Sequence, residues 1–382
     1  MNKKEISEIR RRWKPDYDNI SEVFGCYVNA AGQIITELDM GVGLMDADEA
    51  EMYLKILKKV FSGTMGKNLI DIEFTTDQVE SGDEHRLLMA LRDCHLRDEG
   101  LRRAFYERVI ESVEMGETGF VILLAEDTYD IPYKGADDSI FSEGASEVFP
   151  YFVCAVCPVK DAKAALSYKP AEQNFRSAST GSVLASPDFG FMFPAFDDRT
   201  ANIYGLLYYS RNTLDIHDEF IEKMFAAERA PRSAGVQKAV FGNMLSSTLG
   251  DSCSLEVVKA VHTDIAERLE VHKDNKDPEL PELYLSEMEA LLEDHGVPDE
   301  KIDNFRESCE KEFGESPVLN PGNLVNTKRF DMETTGIKIR IDPEYAYEIE
   351  TRIIDGRRYI LIPADDTVEV NGIEVAISEE TE

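Results

Sequence analysis

The stretch SPDFGFMFPAFDDRTANIYGLLYYSRN, residues 186–212, decides the fold of this chain. It holds two runs dense in aromatic and aliphatic residues, separated by a short polar break, DDRT, at 197–200. Two such runs around a polar break are typical of a pair of antiparallel strands. Neither run alternates cleanly between apolar and polar residues, so we expect other parts of the protein to cover both faces. The sequence therefore predicts a central β-hairpin that is buried on both sides.

The length and the charge of the chain limit its class. A chain of 382 residues is too long to fold around one ordinary hydrophobic core, and we expect about two or three domains. Asp and Glu number 75 against 41 Lys and Arg, which leaves a net charge of −34. A balance this acidic repels nucleic acid and anionic membranes at long range and favours solubility. The composition predicts an acidic cytoplasmic protein, and an acidic surface that competes with nucleic acid is a second interpretation.

Neither a targeting segment nor a membrane anchor is visible in the sequence. The start of the chain, MNKKEISEIRRR, carries charges throughout, and no apolar window approaches the roughly 20 residues that span a bilayer. We therefore predict no membrane partner. The six cysteines, at 26, 94, 154, 157, 253 and 309, are too sparse for a disulfide framework, so we expect all of them to be reduced.

The N-terminal segment reverses the charge of the chain. Its first fourteen residues contain six basic side chains and two acidic ones, and the pattern predicts a short helix that stops before Pro15. Arg10, Arg11 and Arg12 are consecutive, so on a helix they spread over more than half of the circumference and cannot all dock on one flat face. Trp13, the one tryptophan, adjoins them. We interpret the segment first as docked on the acidic body of the chain, and second as a contact at which these four residues bind a partner.

An acid-rich stretch, residues 126–143, follows a predicted buried strand at 119–125. We interpret it as an irregular loop with solvated carboxylates. Asp127 and Asp130, just past the end of the strand, could instead hold Mg²⁺ and leave positions open for a phosphate-containing substrate. This is the one stretch for which the sequence suggests an enzymatic function. We otherwise predict no catalytic residue, no metal site and no cofactor.

The pair Cys154 and Cys157 has the CxxC spacing of redox and zinc sites, but no second pair completes a zinc site. Residues three apart in a strand point to opposite faces, so both sulfurs reach one metal only if the strand ends between them. Pro158 would allow such an end and, with it, an activated thiol. We favour two buried and inert thiols, and redox activity stays open.

Together these patterns predict an α+β protein with a mixed or antiparallel central sheet that long helices flank. One of these helices is predicted to run without a break over 83–115 on a line of apolar residues. The pairs Asp355-Gly356 and Asn371-Gly372, between apolar alternations, predict hairpins near the C-terminus. The predicted segments are a basic helical segment (1–20), an α+β core domain (21–213), a helical region (214–315) and a small β-rich C-terminal unit (322–382).

Seven short stretches spread over the chain resemble one bacterial family, domain of unknown function 4317. They are residues 1–12 (MNKKEISEIRRR), 25–29 (GCYVN), 57–69 (LKKVFSGTMGKNL), 157–160 (CPVK), 193–199 (FPAFDDR), 207–209 (LYY) and 368–372 (VEVNG). The resemblance implies membership of that family and brings with it no activity and no site residue. A fainter likeness, of residues 218–225 (DEFIEKMF) with Ala234 and Gln237, is to a segment of bacterial nucleoid-associated proteins. That likeness would imply chromosome association without catalysis. The overall acidic charge does not support direct binding to DNA.

For function, these observations favour a non-catalytic intracellular protein that works by binding a partner, in the first place another protein. Nucleic acid is a second partner class, through the basic N-terminal segment. The competing hypotheses are a nucleoid-associated-like protein and a metal-dependent enzyme that acts on a phosphate-containing substrate through the stretch 126–143. The predicted fold does not separate these hypotheses, because function resides in sites.

Overall fold

The computed structural model describes residues 1–14, 19–113, 116, 118–131, 133–134, 140–141, 147–161, 166–169, 174–177, 181–227, 230–364 and 368–376 of the chain. The chain divides into two units. The first consists of Met1–Val236 with Pro278–Leu280, and the second of Gln237–Asp277 with Pro281–Glu382. The boundaries of the four segments predicted from the sequence do not coincide with those of the two units.

Ten α-helices lie within the described residues. They are α1 (Lys3–Arg12), α2 (Ala47–Lys58), α3 (Thr76–Ser81), α4 (Asp83–Asp93), α5 (Glu99–Ser112), α6 (Asp218–Phe225), α7 (Ala234–Leu249), α8 (Leu255–Asp274), α9 (Leu285–Asp294) and α10 (Asp299–Phe313). Among these described helices, none combines the length and the apolar character needed to cross a membrane.

Twenty-two β-strands lie within the same part of the chain. Those of the first unit are β1 (Glu22–Val28), β2 (Ile34–Gly41), β3 (Leu69–Glu73), β4 (Phe120–Ile131), β5 (Tyr133–Lys134), β6 (Ile140–Phe141), β7 (Glu147–Asp161), β8 (Leu166–Lys169), β9 (Asn174–Ser177), β10 (Ser182–Leu184), β11 (Phe189–Phe193), β12 (Ala195–Asp197), β13 (Thr200–Asn202) and β14 (Gly205–Ser210). Those of the second unit are β15 (Leu283–Tyr284), β16 (Val318–Leu319), β17 (Phe330–Thr334), β18 (Ile337–Ile341), β19 (Glu350–Ile354), β20 (Arg357–Leu361), β21 (Val368–Val370) and β22 (Ile373–Val375).

The first unit is built on one large antiparallel sheet. Its strands follow the order β2-β1-β4-β7-β11-β14-β3, and the short β10 also pairs with β7. The long strand β7 lies in the middle and pairs with the whole of β4, from Phe120↔Pro158 to Ile131↔Glu147. The predicted α+β class is confirmed, and the sheet is the antiparallel one of the two arrangements expected.

Both faces of this sheet are buried along its central strands, whereas no residue of the edge strand β2 is fully buried. Side chains alternate along each strand because the strand has a period of two residues. In β7, for example, Phe152 and Cys154 point to one face and Val153 and Ala155 to the other. Apolar side chains of α4, α5 and α6 cover the first face, and those of α1 and α2 cover the second. This arrangement confirms that the sheet is covered on both sides.

The predicted buried hairpin is confirmed. β11 and β14 pair antiparallel in the interior of the sheet, and every residue of both strands is buried. The polar break forms the turn of a smaller hairpin, β12–β13, inserted between them. Asp198 and Arg199 occupy that turn with positive φ angles of 48° and 58°. A two-residue hairpin turn needs this backbone, which explains why polar residues interrupt the apolar runs here.

The single helix predicted over 83–115 is wrong, since α4 and α5 are separate helices. His95 and Leu96 lie between α4 and α5 and interrupt the helix, because both adopt positive φ angles, of 54° and 56°. Asp98 then starts α5, because its side chain accepts a hydrogen bond from the N–H of Leu101. The apolar periodicity continues across the break, so the hydrophobic pattern alone did not reveal it.

The second unit has a helical part and a β-rich part. α7, α8, α9 and α10 enclose a core that includes Phe241, Ile265 and Phe305. The β-rich part contains the hairpins β17–β18, β19–β20 and β21–β22. The turns of the last two are Asp355-Gly356 and Asn371-Gly372, and all four residues have positive φ angles. These two hairpins are therefore those predicted from the sequence.

Candidate functional site

The candidate site is built around α1, the basic N-terminal helix. Asn2 starts it in a capping box, in which its side chain accepts from the N–H of Glu5 and the Glu5 carboxylate accepts from the N–H of Asn2. Ile6 and Ile9, three residues apart, bury one face of the helix against the sheet. Three arginines lie in the last turn, where their positive charges stabilise the negative end of the helix dipole. The N-terminal segment is thus docked on the body of its own chain.

Arg12, predicted to bind a partner, binds Asp127 instead. Its guanidinium donates two hydrogen bonds to the Asp127 carboxylate, from Nε to Oδ2 at 2.5 Å and from Nη2 to Oδ1 at 2.7 Å. The Asp127 side chain is completely buried, and that of Arg12 is 21% exposed. A bidentate pair of this kind provides the opposite charge that a buried carboxylate needs. The predicted partner contact and the predicted metal ligand are therefore partners of each other.

Asp127 and Asp130 lie in a strand, which corrects the interpretation of 126–143 as a loop after the strand. β4 continues to Ile131, so both aspartates are strand residues. Residues three apart in a strand point to opposite faces, and Asp127 is buried whereas Asp130 is exposed. Across the part of the chain that the structure describes, no group of three or more His, Cys, Asp or Glu could hold a metal ion. Residues 132, 135–139 and 142–143 of this stretch lie outside the described residues.

Trp13 is buried, so its predicted role at a partner surface is corrected. Its side chain is 1% exposed, and the indole N–H donates to the hydroxyl of Tyr151 at 3.0 Å. The Tyr151 hydroxyl donates in turn to the Asp127 carboxylate at 2.7 Å. Burial first, and then the charge of Asp127, raise the pKa of Tyr151 well above its ordinary value. The Tyr151 hydroxyl therefore keeps its proton and continues to donate to Asp127.

A second polar cluster surrounds Glu8 of α1. Arg199 donates to both Glu8 oxygens, at 2.7 and 2.5 Å, and the Tyr129 hydroxyl donates to Oε1 at 2.5 Å. Burial first, and then the hydrogen bond to Glu8, raise the pKa of Tyr129 to about 12. Arg199 lies in the turn of β12–β13, within the stretch 186–212. Its ion pair with Glu8 therefore also attaches the N-terminal helix to that stretch. The sequence analysis did not identify Tyr129, Tyr151 or Arg199 as residues of the site. Their one signal in the sequence was a polar group within or next to an apolar strand.

The exposed end of α1 carries a cluster of positive charges. Arg10, Arg11 and Lys14 are exposed, and Lys58 at the end of α2 is half-buried. Burial, followed by the positive charges of Lys14 and Arg10, lowers the pKa of Lys58. We call these four residues the basic patch. Sequence reasoning missed Lys58, because only the tertiary structure brings it close to Lys14 and Arg10.

The two thiols of the CxxC pair lie in one uninterrupted strand. β7 continues through Pro158 to Asp161, so the strand does not end between Cys154 and Cys157. Both side chains are fully buried, on opposite faces of the sheet. Burial raises the pKa of Cys157 to about 12 and that of Cys154 well above its ordinary value. The expectation of two buried thiols that cannot share a metal is confirmed.

The segment similar to nucleoid-associated proteins forms α6 and the beginning of α7. The apolar face of α6, with Phe220, Ile221, Met224 and Phe225, is buried in the core against the sheet. These side chains stabilise the fold and are not available to a chromosome. Association with the nucleoid stays a prediction.

No curated protein matches this chain. A family model does match it, over residues 1–373. The match includes α1, the basic patch, the whole sheet of the first unit and nearly all of the second unit. The chain therefore belongs to the family described as domain of unknown function (DUF4317), as its sequence motifs predicted.

Proposed function

We propose that this protein is a non-catalytic binding protein and that the basic patch is where an acidic segment of another protein docks. The observation that carries the proposal is a contrast within one helical turn. Arg12 and Trp13 are bound inside the chain by Asp127 and Tyr151. Arg10, by contrast, is exposed, and within the described residues it forms no ion pair. The same holds for Arg11 in the described part of the chain.

The charge of the basic patch is opposite to that of the chain, which carries −34 overall. Within it, the positive charges of Lys14 and Arg10 repel that of Lys58, and this repulsion contributes, after the larger effect of burial, to the lowered pKa of Lys58. A carboxylate placed at the patch relieves that repulsion. Complementary charge of this kind guides a partner to one orientation and speeds association more than it raises affinity.

An acidic protein segment fits the basic patch better than nucleic acid does. Proteins that bind single strands combine cations with exposed aromatic rings, and the tryptophan beside the patch is buried. Nucleic acid also presents a long line of phosphates to a chain that repels it overall. A short acidic segment brings fewer negative charges close to a chain whose own net charge is −34.

The metal-dependent enzyme gains no support from the described residues. Its two candidate ligands point to opposite faces of the sheet, and Arg12 already neutralises Asp127. Metal chemistry at this place would have to break a buried ion pair first, which is strongly destabilising.

The test retains proteins from a native lysate on the immobilised full-length chain, with and without nuclease. The wild type is compared with a variant that carries Arg10→Glu and Arg11→Glu. A control that carries Lys160→Glu and Lys238→Glu reverses the same number of exposed charges elsewhere. We expect a protein that the wild type and the control retain, that the patch variant loses, and that is released as salt rises from about 0.1 M to about 1 M.

Two outcomes would overturn the proposal. Retention of the same proteins by the patch variant would remove the basic patch from the contact. Loss of the retained material on nuclease treatment would replace the protein partner with nucleic acid. Melting curves of all three chains check that the substitutions leave the fold intact.

A further inference from the structure

One hairpin of the second unit, β19–β20, projects as a two-stranded ribbon, and we call its residues 350–361 the arm. Its base is fixed, because Ile349 is buried in a small core and its carbonyl accepts a hydrogen bond from the ammonium of Lys259 on α8 at 2.9 Å. Every residue of the arm is exposed except Leu361, which is half-buried. In the described part of the chain, no third strand pairs with either of its strands. Both faces of the ribbon are therefore open to a partner.

Large apolar side chains are exposed on both faces of the arm. Their exposed fractions lie between 40% and 73% for Ile353, Ile354, Tyr359 and Ile360. Residues directly opposite each other share a face, and neighbours along a strand point to opposite faces. Ile354 and Tyr359 thus lie on one face, and Ile353 and Ile360 lie on the other. Exposed apolar side chains of this kind mark a contact surface or a site of aggregation, so a partner of the arm has to cover both faces.

The tip of the arm also carries a positive charge on each face. Two cross-strand pairs lie nearest the turn Asp355-Gly356, namely Ile354↔Arg357 and Ile353↔Arg358. Because the two arginines are consecutive, they point to opposite faces. Among the described residues neither of them forms an ion pair. Each face of the tip thus offers one isoleucine and one arginine that is free to bind an anion.

The charge of the arm is opposite to that of the chain. The arm contains three arginines against two acidic residues, which leaves it at +1, whereas the whole chain carries −34. Arg352 binds Glu350 near the base, with 2.8 Å between Nη2 and Oε2. The remaining charges, those of Arg357, Arg358 and Asp355, lie at the tip. The tip therefore favours an anionic partner.

A groove between two anionic walls fits the tip better than a flat surface does, because a flat surface covers one face only. The major groove of double-stranded DNA is about 12 Å wide and about 8.5 Å deep, and it admits a two-stranded β-ribbon. Phosphates line both of its walls. Packed sheets lie about 10 Å apart, which is the thickness of a ribbon with its side chains, and about 8.5 Å of a strand contains two or three residues. The two cross-strand pairs at the tip therefore match this groove in width and in depth.

We propose that the arm binds double-stranded DNA by inserting its tip into the major groove. Arg357 and Arg358 then reach the phosphates of opposite walls, because they leave the ribbon on opposite faces. Ile353 and Ile354 contact thymine methyl groups, and Asp355 faces the floor of the groove, where the amino group of cytosine donates to a carboxylate. This contact is independent of the basic patch and of the function proposed for it.

The negative charge of the chain does not prevent this contact at physiological salt. The five residues of β19 rise by about 3.4 Å each, so the tip lies about 17 Å beyond Ile349. The Debye length at physiological ionic strength is about 8 Å. Acidic residues at the base of the arm and behind it are therefore largely screened from DNA at the tip. A contact along a flat surface of the chain would not have this protection.

The experiment titrates a fluorescently labelled DNA duplex of about 20 base pairs with the purified full-length chain at about 0.1 M salt, and it follows the anisotropy. We expect a dissociation constant of about 1–100 µM, the range of binding through phosphate contacts. Arg357→Glu and Arg358→Glu should each raise it at least about 5-fold, and the double variant at least about 20-fold, since each arginine contacts its own wall. With two phosphate contacts, the affinity should fall with salt with a logarithmic slope no steeper than about −2.

Two control chains carry the same change of charge outside the arm. One has Lys160→Glu with Lys238→Glu, and the other has Arg10→Glu with Arg11→Glu in the basic patch. Both should bind the DNA duplex like the wild type. An RNA duplex of the same sequence tests the groove itself and should bind at least about 10-fold more weakly, because the major groove of A-form RNA is deep and narrow. Unchanged circular dichroism and melting temperatures establish that all variants are folded.

Four results would overturn the inference. The wild type could leave the duplex unbound at about 0.3 mM protein, which would assign the arm to a protein partner. The RNA duplex could bind as tightly as DNA, which would mean that charge alone is recognised. Only one of the two single variants could weaken binding, which would place one face of the ribbon on a flat surface. Binding could be lost in the basic-patch control and retained in the double arm variant, which would move the contact to α1.

Discussion

Arg12 and Asp127 form a bidentate ion pair that joins the first helix of the chain to the fourth strand of its sheet, over 115 residues of sequence. The pair is completed by Tyr151, whose hydroxyl donates to the same carboxylate while it accepts from Trp13. Four polar side chains thus satisfy one another at a buried place. The stability of the first unit should depend on each of them more than on the exposed arginines beside them.

Replacement of Arg12 by Ala should lower the free energy of unfolding by about 3 kcal/mol, because the charge of Asp127 then stays buried without a partner. Chemical denaturation followed by circular dichroism measures the change. Arg12→Lys should fall between the wild type and Arg12→Ala, since an ammonium cannot form the two parallel hydrogen bonds.

Arg11→Ala is the matched control, because Arg11 is the neighbouring residue and is exposed. Its effect on the free energy of unfolding should stay within about 0.5 kcal/mol. Equal destabilisation by Arg11→Ala and Arg12→Ala would mean that the ion pair is not what holds α1 on the sheet.

Replacement of Tyr151 by Phe should destabilise the protein by about 1–3 kcal/mol, because the indole N–H of Trp13 and the carboxylate of Asp127 both lose a buried partner. Phe149→Leu, at a neighbouring buried ring, removes aromatic stacking but no hydrogen bond and serves as the comparison. A loss in Tyr151→Phe no larger than about 0.5 kcal/mol would contradict a role for the hydroxyl.

The emission of Trp13 reports on the same place, since it is the one tryptophan of the chain. The buried indole should emit at short wavelength, and added DNA at low salt should neither shift nor quench this emission. Unfolding should move the emission to longer wavelength. A shift of the emission wavelength on addition of DNA to the folded protein would indicate that Trp13 lies at a partner surface.

The thiols of Cys154 and Cys157 should resist a maleimide at pH 8 in the folded protein. Burial keeps both protonated and away from the reagent. Cys94 is half-buried and should react at least about 100-fold faster. Mass spectrometry of partially labelled protein gives the order of reaction. Early labelling of either β7 thiol would reopen a redox role for the pair.

The raised pKa of Cys157 also predicts a dependence of stability on pH. In the unfolded chain this thiol ionises near its ordinary pKa of 9.0, and in the folded chain at about 12. Its contribution to stability is therefore fully present below about pH 9 and is lost as the pH rises toward 12. Denaturation curves at pH 8 and above pH 10 should show a fall in stability that Cys157→Ala reduces.

The sequence anticipated the elements whose signals are local, and it failed where a signal depended on a distant pairing. The turns at Asp355-Gly356 and Asn371-Gly372 were predicted because the two residues themselves favour positive φ. The break at His95 and Leu96 was missed because neither residue type signals it. The extension of β4 past residue 125 was missed because β7, far along the chain, supplies its partner strand.

By itself, the sequence determined that the chain has a sheet buried on both faces, a short basic helix at its start and tight hairpins at its end. These properties depend on the types of residues two to four positions apart, so a linear pattern contains them. Only the tertiary structure decided which charges are bound and which are free. Arg10, Arg11 and Arg12 are alike in sequence, and they differ only because the docking of α1 places one of them against the buried carboxylate of β4.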